Sequence, residues 1–380
     1  MPEPTLSPSV VRAAAEVFRN EGVAVIPGFA TRDEVARMKS TMKSMVLEWW
    51  EEEARTAANA AEVFVTDTKG QTKAQATSRY FFESADRVHF FREAANATSE
   101  WGVPALNKVG HGLHLDNATV FGQYAKSPRI AAVARHVAGL RAPVLPQSMY
   151  IFKEGRVGGS VTSHQDGTFL YTRPRQTVVG LWLALHDAHE GNGCLWARPG
   201  SHREPLRRRF VRGEGDDGEV AMAFSEIDAD AKAMRAEATL SPALLGERVA
   251  SLRGAAAMAK RALGVERGAR RTRVRRSEEA REWEGYYPPA NLTETTAADR
   301  ALLAAKGFVP LPVSAGDLVV FPGTLDHLSF PNGSPHARHT FRTSRPRSTI
   351  APNPTLLAPG THVSKPPHTR AGKPAHPRLC

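Results

Sequence analysis

Cysteine is nearly missing from this chain: 380 residues hold two, Cys194 and Cys380. Two thiols exclude a disulfide framework and fit a reducing compartment. Long apolar runs are missing too. The stretch from Val178 to Leu185 falls far short of the roughly 20 residues of a membrane span, so no span is expected. Met1-Pro2-Glu3-Pro4 lacks a basic segment followed by an apolar one, and Arg378-Leu379-Cys380 is not a peroxisomal address. Both point to a cytoplasmic protein. Acid is also scarce, with 39 Asp and Glu against 50 Lys and Arg, a net charge of +11. The excess is local. Residues 245–276 hold ten basic and two acidic side chains, and residues 343–380 hold six basic and none acidic, which leaves the remainder at −3. No aromatics interleave these arginines, so a solvated insertion and tail are expected rather than a groove tracking nucleic-acid phosphates.

What is present reads as a β-rich body with helices in front of it. Val10 to Phe18 has helical apolar spacing, ended by Asn20-Glu21-Gly22. Val23 to Ile26 is a short strand, and Thr31-Arg32-Asp33-Glu34 is a capping box that opens a helix through Met38, Met42 and Val46. Its methionines and Trp49 and Trp50 are expected to pack, not to react. Residues 51–78 suggest an exposed helix and loop. From Val144 the text becomes β, with strands at Gln147–Lys153, Thr177–Leu185, Cys194–Trp196, Phe308–Val313, Leu318–Phe321 and Ala337–Phe341. In Thr177–Leu185 both faces are apolar: Leu181, Leu183 and Leu185 on one, Gly180, Trp182 and Ala184 on the other. Such a strand is buried between two layers. Residues of about 206–290 interrupt the pattern as an insertion. Beyond Arg342 eight prolines and no acid give a disordered-tail composition. The expected body is therefore one domain over residues 1–342.

The chemistry centres on Ser163-His164-Gln165-Asp166-Gly167, read as a strand end that turns into a second strand through Phe169-Leu170-Tyr171. His-x-Asp puts two donors on one face of extended backbone. They can share a metal ion when a third ligand arrives from elsewhere. A second copy, His114-Leu115-Asp116, follows His111 and two glycines; there packing and polar contacts are the favoured roles. Lys108, alone in apolar text, is expected to meet an anion. Cys194 reads as a small buried residue and His202 as a turn stabiliser.

Four motifs in order resemble the phytanoyl-CoA dioxygenase family: Lys108 to His114, Gln147 to Lys153, His164-Gln165-Asp166 with Phe169-Leu170-Tyr171, and Asn192 to Trp196 with Pro199-Gly200-Ser201-His202. The resemblance covers about residues 10–205 and 305–341. It implies a mainly β fold with flanking helices around a double-stranded β-helix, or jelly-roll, core. It also implies an Fe(II)- and 2-oxoglutarate-dependent dioxygenase that uses O₂ to hydroxylate a small molecule, an acyl compound being one candidate. On the matching positions it makes His164, Asp166 and His327 the metal ligands, and Arg338 the grip on the distal carboxylate of 2-oxoglutarate. Lys108, Met149 and Trp182 fall on positions lining the 2-oxoglutarate pocket. Two imidazoles and a carboxylate on one face of an octahedral ion suit non-haem iron, and the planar fork of arginine suits a carboxylate. Three other readings stand beside this one: a catalytically silent jelly-roll that binds a metal or small acid, a nucleic-acid module using the basic insertion, and a zinc hydrolase. His114 and Asp116 are expected outside the metal cluster. Arg338, Thr340 and Arg342 are expected on the inward face of the last strand.

Overall fold

The computed structural model describes residues 6–56, 61–64, 78–95, 97–173, 175–214, 220–226 and 296–346. Numbered in chain order, seven strands form the larger sheet: β1 (Ala24–Ile26), β2 (Val88–Arg92), β3 (Leu106–His111), β4 (Gln147–Ile151), β6 (Val179–Ala184), β11 (Leu318–Pro322) and β13 (Thr340–Arg345). Their spatial order is β1-β11-β6-β13-β4-β3-β2. The smaller sheet contains β5 (Val161–His164), β7 (Leu195–Ala197), β10 (Val309–Leu311) and β12 (His327–Ser329) in the order β10-β7-β12-β5. Strands β8 (Arg208–Glu214) and β9 (Val220–Glu226) make a separate hairpin. The ladders are antiparallel, and the fold is the expected mainly β jelly-roll.

Helix α1 (Pro8–Glu21) starts where Ser7 Oγ accepts from Val10 N, with proline at its first position. It stops at Gly22, whose φ of +80° favours glycine and whose absent Cβ leaves room for the His202 ring. Helix α2 (Arg32–Thr56) opens with the expected reciprocal cap: Thr31 N donates to Glu34 Oε2 at 2.8 Å, and Glu34 N to Thr31 Oγ1 at 3.2 Å. Met38, Met42 and Val46 of α2 join Phe18 of α1 in a core against Ile26, Leu181, Leu183, Val320 and Phe341 of the larger sheet. The opposite side of the same strands, through Trp182, Ala184, Val319 and Phe321, packs with Leu195, Trp196, Leu328 and Phe330 from the smaller sheet and its connections. Strand β6 is buried on both sides because its two apolar faces serve two cores. No helix among the described residues is long and apolar enough to cross a membrane.

Three expectations need correction. The last strand starts at Thr340, not Ala337, and runs on to Arg345. Its polar text forms a central strand because β4 and β6 pair with it on both sides, from Thr340 to Ser344, and so satisfy its backbone. Thr343, Ser344 and Arg345 are buried, so the body extends past residue 342. The start of the presumed insertion is also structured. Leu206 packs with Tyr171, and the buried Phe210 ring in β8 lies tilted against Phe169 at 5.8 Å; the surrounding arginines hid this strand. Finally, Asp166 opens a short 3₁₀ turn, Asp166–Thr168, rather than leading to a second strand. Gly167 N is drawn to Gly323 O at 2.8 Å, and Phe169 N to Asp166 O at 3.0 Å. The basic stretch 245–276, residues 347–380 of the tail and most of 57–77 lie outside the described residues.

Candidate metal centre

Strand β5 ends at His164, and Gln165 keeps extended backbone (φ −111°, ψ 125°), so His164 and Asp166 emerge on the same side. Strand β12 pairs His327 directly opposite His164. Asp166 Oδ1 lies 3.5 Å from His164 Nε2 and 3.7 Å from His327 Nε2. The three donors all fall within 4.8 Å of one another, the one such convergence among the described residues. Both imidazoles are oriented from behind. His164 Nδ1 donates to Thr162 O at 2.7 Å, and His327 Nδ1 to Leu325 O at 3.1 Å. A carbonyl only accepts, so each Nδ1 carries the proton and each Nε2 turns a lone pair to the shared point. Burial pushes His164 down to about 4 and His327 down to about 3, the latter helped by the neighbouring His164. Neutral imidazoles and a carboxylate are the protonation states a divalent metal needs. Gly180 makes the approach possible, since a Cβ there would stand 2.8 Å from the Phe321 ring and 3.3 Å from Asp166 Oδ2.

The residues flanking both histidines are tied together by a buried carboxylate that the sequence did not single out. Asp326 is fully buried. It accepts from Ser163 Oγ at 2.8 Å, from Arg207 Nη1 and Nη2 at 2.7 and 2.8 Å, and from Arg198 Nη2 at 3.1 Å. Arg198 in turn forms a two-pronged pair with Glu204 at 2.7 Å for both bonds. Burial works against the Asp326 charge, but the Arg207 hydrogen bonds and the two guanidinium charges hold its carboxyl down to about 2. Ser163 precedes His164, and Asp326 precedes His327. The cluster therefore fixes their spacing. Only long-range pairing brings Arg207 and Arg198 here, and no local pattern announced it.

Arg338, Trp182, Met149 and Lys108 stand farther into the space between the sheets. Arg338 is buried; its Nη2 donates to Gly193 O at 2.6 Å and its guanidinium lies 5.4 Å from the Trp182 ring. Among the described residues, its Nε and the nearby Thr340 Oγ1 are buried without a partner. Trp182 and Met149 both lie opposite Arg342, from either side of β13. Among the described residues Lys108 is set against rings. Its ammonium lies 3.3 Å from His111 Nε2 and 3.5 Å above the Phe64 ring, with Phe91 at 4.9 Å. Burial, assisted by the Arg342 charge, pushes it down to about 7. Arg342 itself reaches Asp166 and donates to Oδ2. The inward face of the last strand was expected; this contact with Asp166 was not.

The other candidates take the roles expected of them. His111 Nδ1 pairs with Ser84 Oγ at 2.8 Å, and His114 Nδ1 with Ser148 Oγ at 2.9 Å. Asp116 caps its own turn through Ala118 N. His202 Nε2 donates to Arg19 O at 3.1 Å, tying the turn to the end of α1. Cys194 is buried, and burial pushes its thiol up to about 12.

The family model described as phytanoyl-CoA dioxygenase (PhyH) matches residues 18–247 and 265–340. The chain is 38% identical over 218 residues to phytanoyl-CoA dioxygenase domain-containing protein 1 of Mus musculus, covering 56% of this chain and 71% of the relative. It is 38% identical over 205 residues to the phytanoyl-CoA dioxygenase of Arabidopsis thaliana, covering 52% and 67%. Among solved structures, AviO1 from Streptomyces viridochromogenes Tue57 aligns over 92% of this chain and 100% of its own, with 20% identity and a TM-score of 0.48.

Proposed function

Since the chain belongs to the phytanoyl-CoA dioxygenase family, we propose that it is an Fe(II)- and 2-oxoglutarate-dependent dioxygenase that hydroxylates an as yet unidentified small molecule. The convergence of His164, Asp166 and His327 carries this reading. Two imidazoles and one carboxylate on one side of a point suit Fe(II) and leave positions for a chelating 2-oxo acid and O₂. Bound there, Fe(II) supplies the oxidative decarboxylation of 2-oxoglutarate to succinate and CO₂, coupled to oxygen insertion into a substrate C–H bond.

The chain's own groups bind and orient. The unpartnered Nε of Arg338 and Oγ1 of Thr340, both buried, fit the distal carboxylate of 2-oxoglutarate. Trp182 supplies an apolar wall beside Arg338, and Met149 an adaptable one. Lys108, once protonated, adds positive charge for the dianion. Phe321, its ring 4.7 Å from that of His327, keeps water from that side of the centre. A reducing, cytoplasmic setting goes with this reading, because it keeps iron ferrous and Cys194 a thiol.

Anaerobic titration of the Fe(II) protein with 2-oxoglutarate, followed by its visible charge-transfer band, tests the assignment. Arg338→Ala is expected to weaken 2-oxoglutarate about thirtyfold or more and Arg338→Lys less, with little change in iron affinity. Unchanged affinity in Arg338→Ala sinks the co-substrate site. A second reading, a catalytically silent binding protein, is favoured by the contact of Arg342 with Asp166. Iron-dependent release of succinate, lost in His164→Ala, separates the two.

A further inference from the structure

Strand β13 carries a second guanidinium into the metal site. Arg342 lies in register between Trp182 on β6 and Met149 on β4, facing the space between the sheets. It divides the Asp166 carboxylate. Oδ2 accepts from Arg342, while Oδ1 faces the two imidazole nitrogens. Among the described residues Asp166 is its one ion-pair partner, and its Nε is buried with none. The other charges around this site are the cations Lys108, whose ammonium feels Arg342, and Arg338, and, behind the two histidines, the Asp326 carboxylate, which Arg207 and Arg198 offset.

The sign of the charge balance sets the consequence. Arg342 cancels the Asp166 charge, so a divalent ion at the triad meets no net negative charge and adds to an already cationic interior. A hydrogen bond to Oδ2 also orients Oδ1, which favours the metal. A unit charge a few ångströms from the ion outweighs that gain where the surroundings are poorly polarisable. A dicarboxylate entering beside the ion reverses the balance, because it faces the metal, Arg338 and Arg342 together.

We propose that Arg342 makes metal binding at this triad conditional on a dicarboxylate anion. Metal alone binds weakly, and metal and anion bind as a linked pair. The inference rests on the reading of His164, Asp166 and His327 as a metal site, and it makes Arg342 a positioning residue rather than a ligand. Linkage requires that the factor by which the anion tightens the metal equals the factor by which the metal tightens the anion.

The test is titration of the full chain with Co(II), read by its visible d–d bands under argon, without and with saturating 2-oxoglutarate. Wild type is compared with Arg342→Gln, which keeps a donor for Oδ2 but loses the charge, and with Arg342→Lys, which keeps the charge. In wild type, 2-oxoglutarate is expected to tighten Co(II) about a hundredfold. In Arg342→Gln, Co(II) alone should bind about tenfold tighter or more, and the tightening by 2-oxoglutarate should shrink by the same factor. Arg342→Lys should follow wild type. Equal or weaker Co(II) binding in Arg342→Gln overturns the inference and leaves the metal reading standing. Should Arg342→Gln not fold, wild type decides alone, since absence of tightening by 2-oxoglutarate overturns it as well. Absence of Co(II) binding in all three proteins overturns the metal reading itself, and this inference with it.

Discussion

Lys108 brings an ammonium into an aromatic box, and the box gives it rings instead of an acid. Burial, helped by Arg342, lowers it from an ordinary 10.5 to about 7. Between those values the unfolded chain keeps a proton that the folded chain has shed, so stability rises with pH across that window. Below about 7 both states are protonated, and the folded state bears the full cost of a buried charge, on the order of a few kcal/mol. Lys108→Met is therefore expected to be more stable than wild type at pH 6, with the advantage fading towards pH 9.5. Urea unfolding of both proteins at the two pH values checks this. A difference that does not change with pH shows that the lysine stays charged in the folded state. If Lys108 serves a dianion, the same protonation should tighten 2-oxoglutarate as pH falls.

At the level of elements, His164 and His327 depend on a loop that no periodicity marked. Arg207, just before β8, reaches back to Asp326, just before β12, and Arg198 after β7 joins them. Asp326, with its carboxyl held near 2, contributes stability above its ordinary value of 3.8, and this is lost as pH falls through about 2. Removing one partner strands a buried charge, so Arg207→Ala is expected to cost about 3–5 kcal/mol at pH 7. Asp326→Asn in the same background should recover part of that. Denaturant titrations of the single and double variants give the answer; a cost under about 1 kcal/mol, typical of a surface pair, would show that the cluster does not hold the histidines. Strand alternation made His164-Gln165-Asp166 legible from sequence, and family resemblance supplied His327 and Arg338. The Asp326 cluster was not legible, because its members are 119 and 128 residues apart.

For the molecule as a whole, the boundary of the fold lies later than composition suggested. Arg342 to Arg345 is a run of polar residues, yet it occupies the middle of the larger sheet between β4 and β6. Val144 N donates to Pro346 O at 3.0 Å, so pairing continues one residue further. A chain ending after Phe341 leaves the centre of the sheet half empty and is expected not to fold. A chain ending after Pro346 keeps both ladders and should unfold cooperatively within a few degrees of full length, because residues 347–380 combine seven prolines with no acid. Thermal unfolding followed by circular dichroism distinguishes the two. A folded protein ending at Phe341 would show that β13 is dispensable.

The sequence by itself determined the local elements and the two-sided burial of β6, because helical spacing, capping pairs and strand alternation are written in neighbouring residues. Together with the resemblance, it also determined which histidines and which aspartate come together. The tertiary structure decided what surrounds them. That Asp326 binds Arg207, that Lys108 meets Phe64, and that Arg342 faces Asp166 all depend on the register of strands far apart in the chain. Strand register is set by the packing of whole faces against two cores rather than by the text of any one segment.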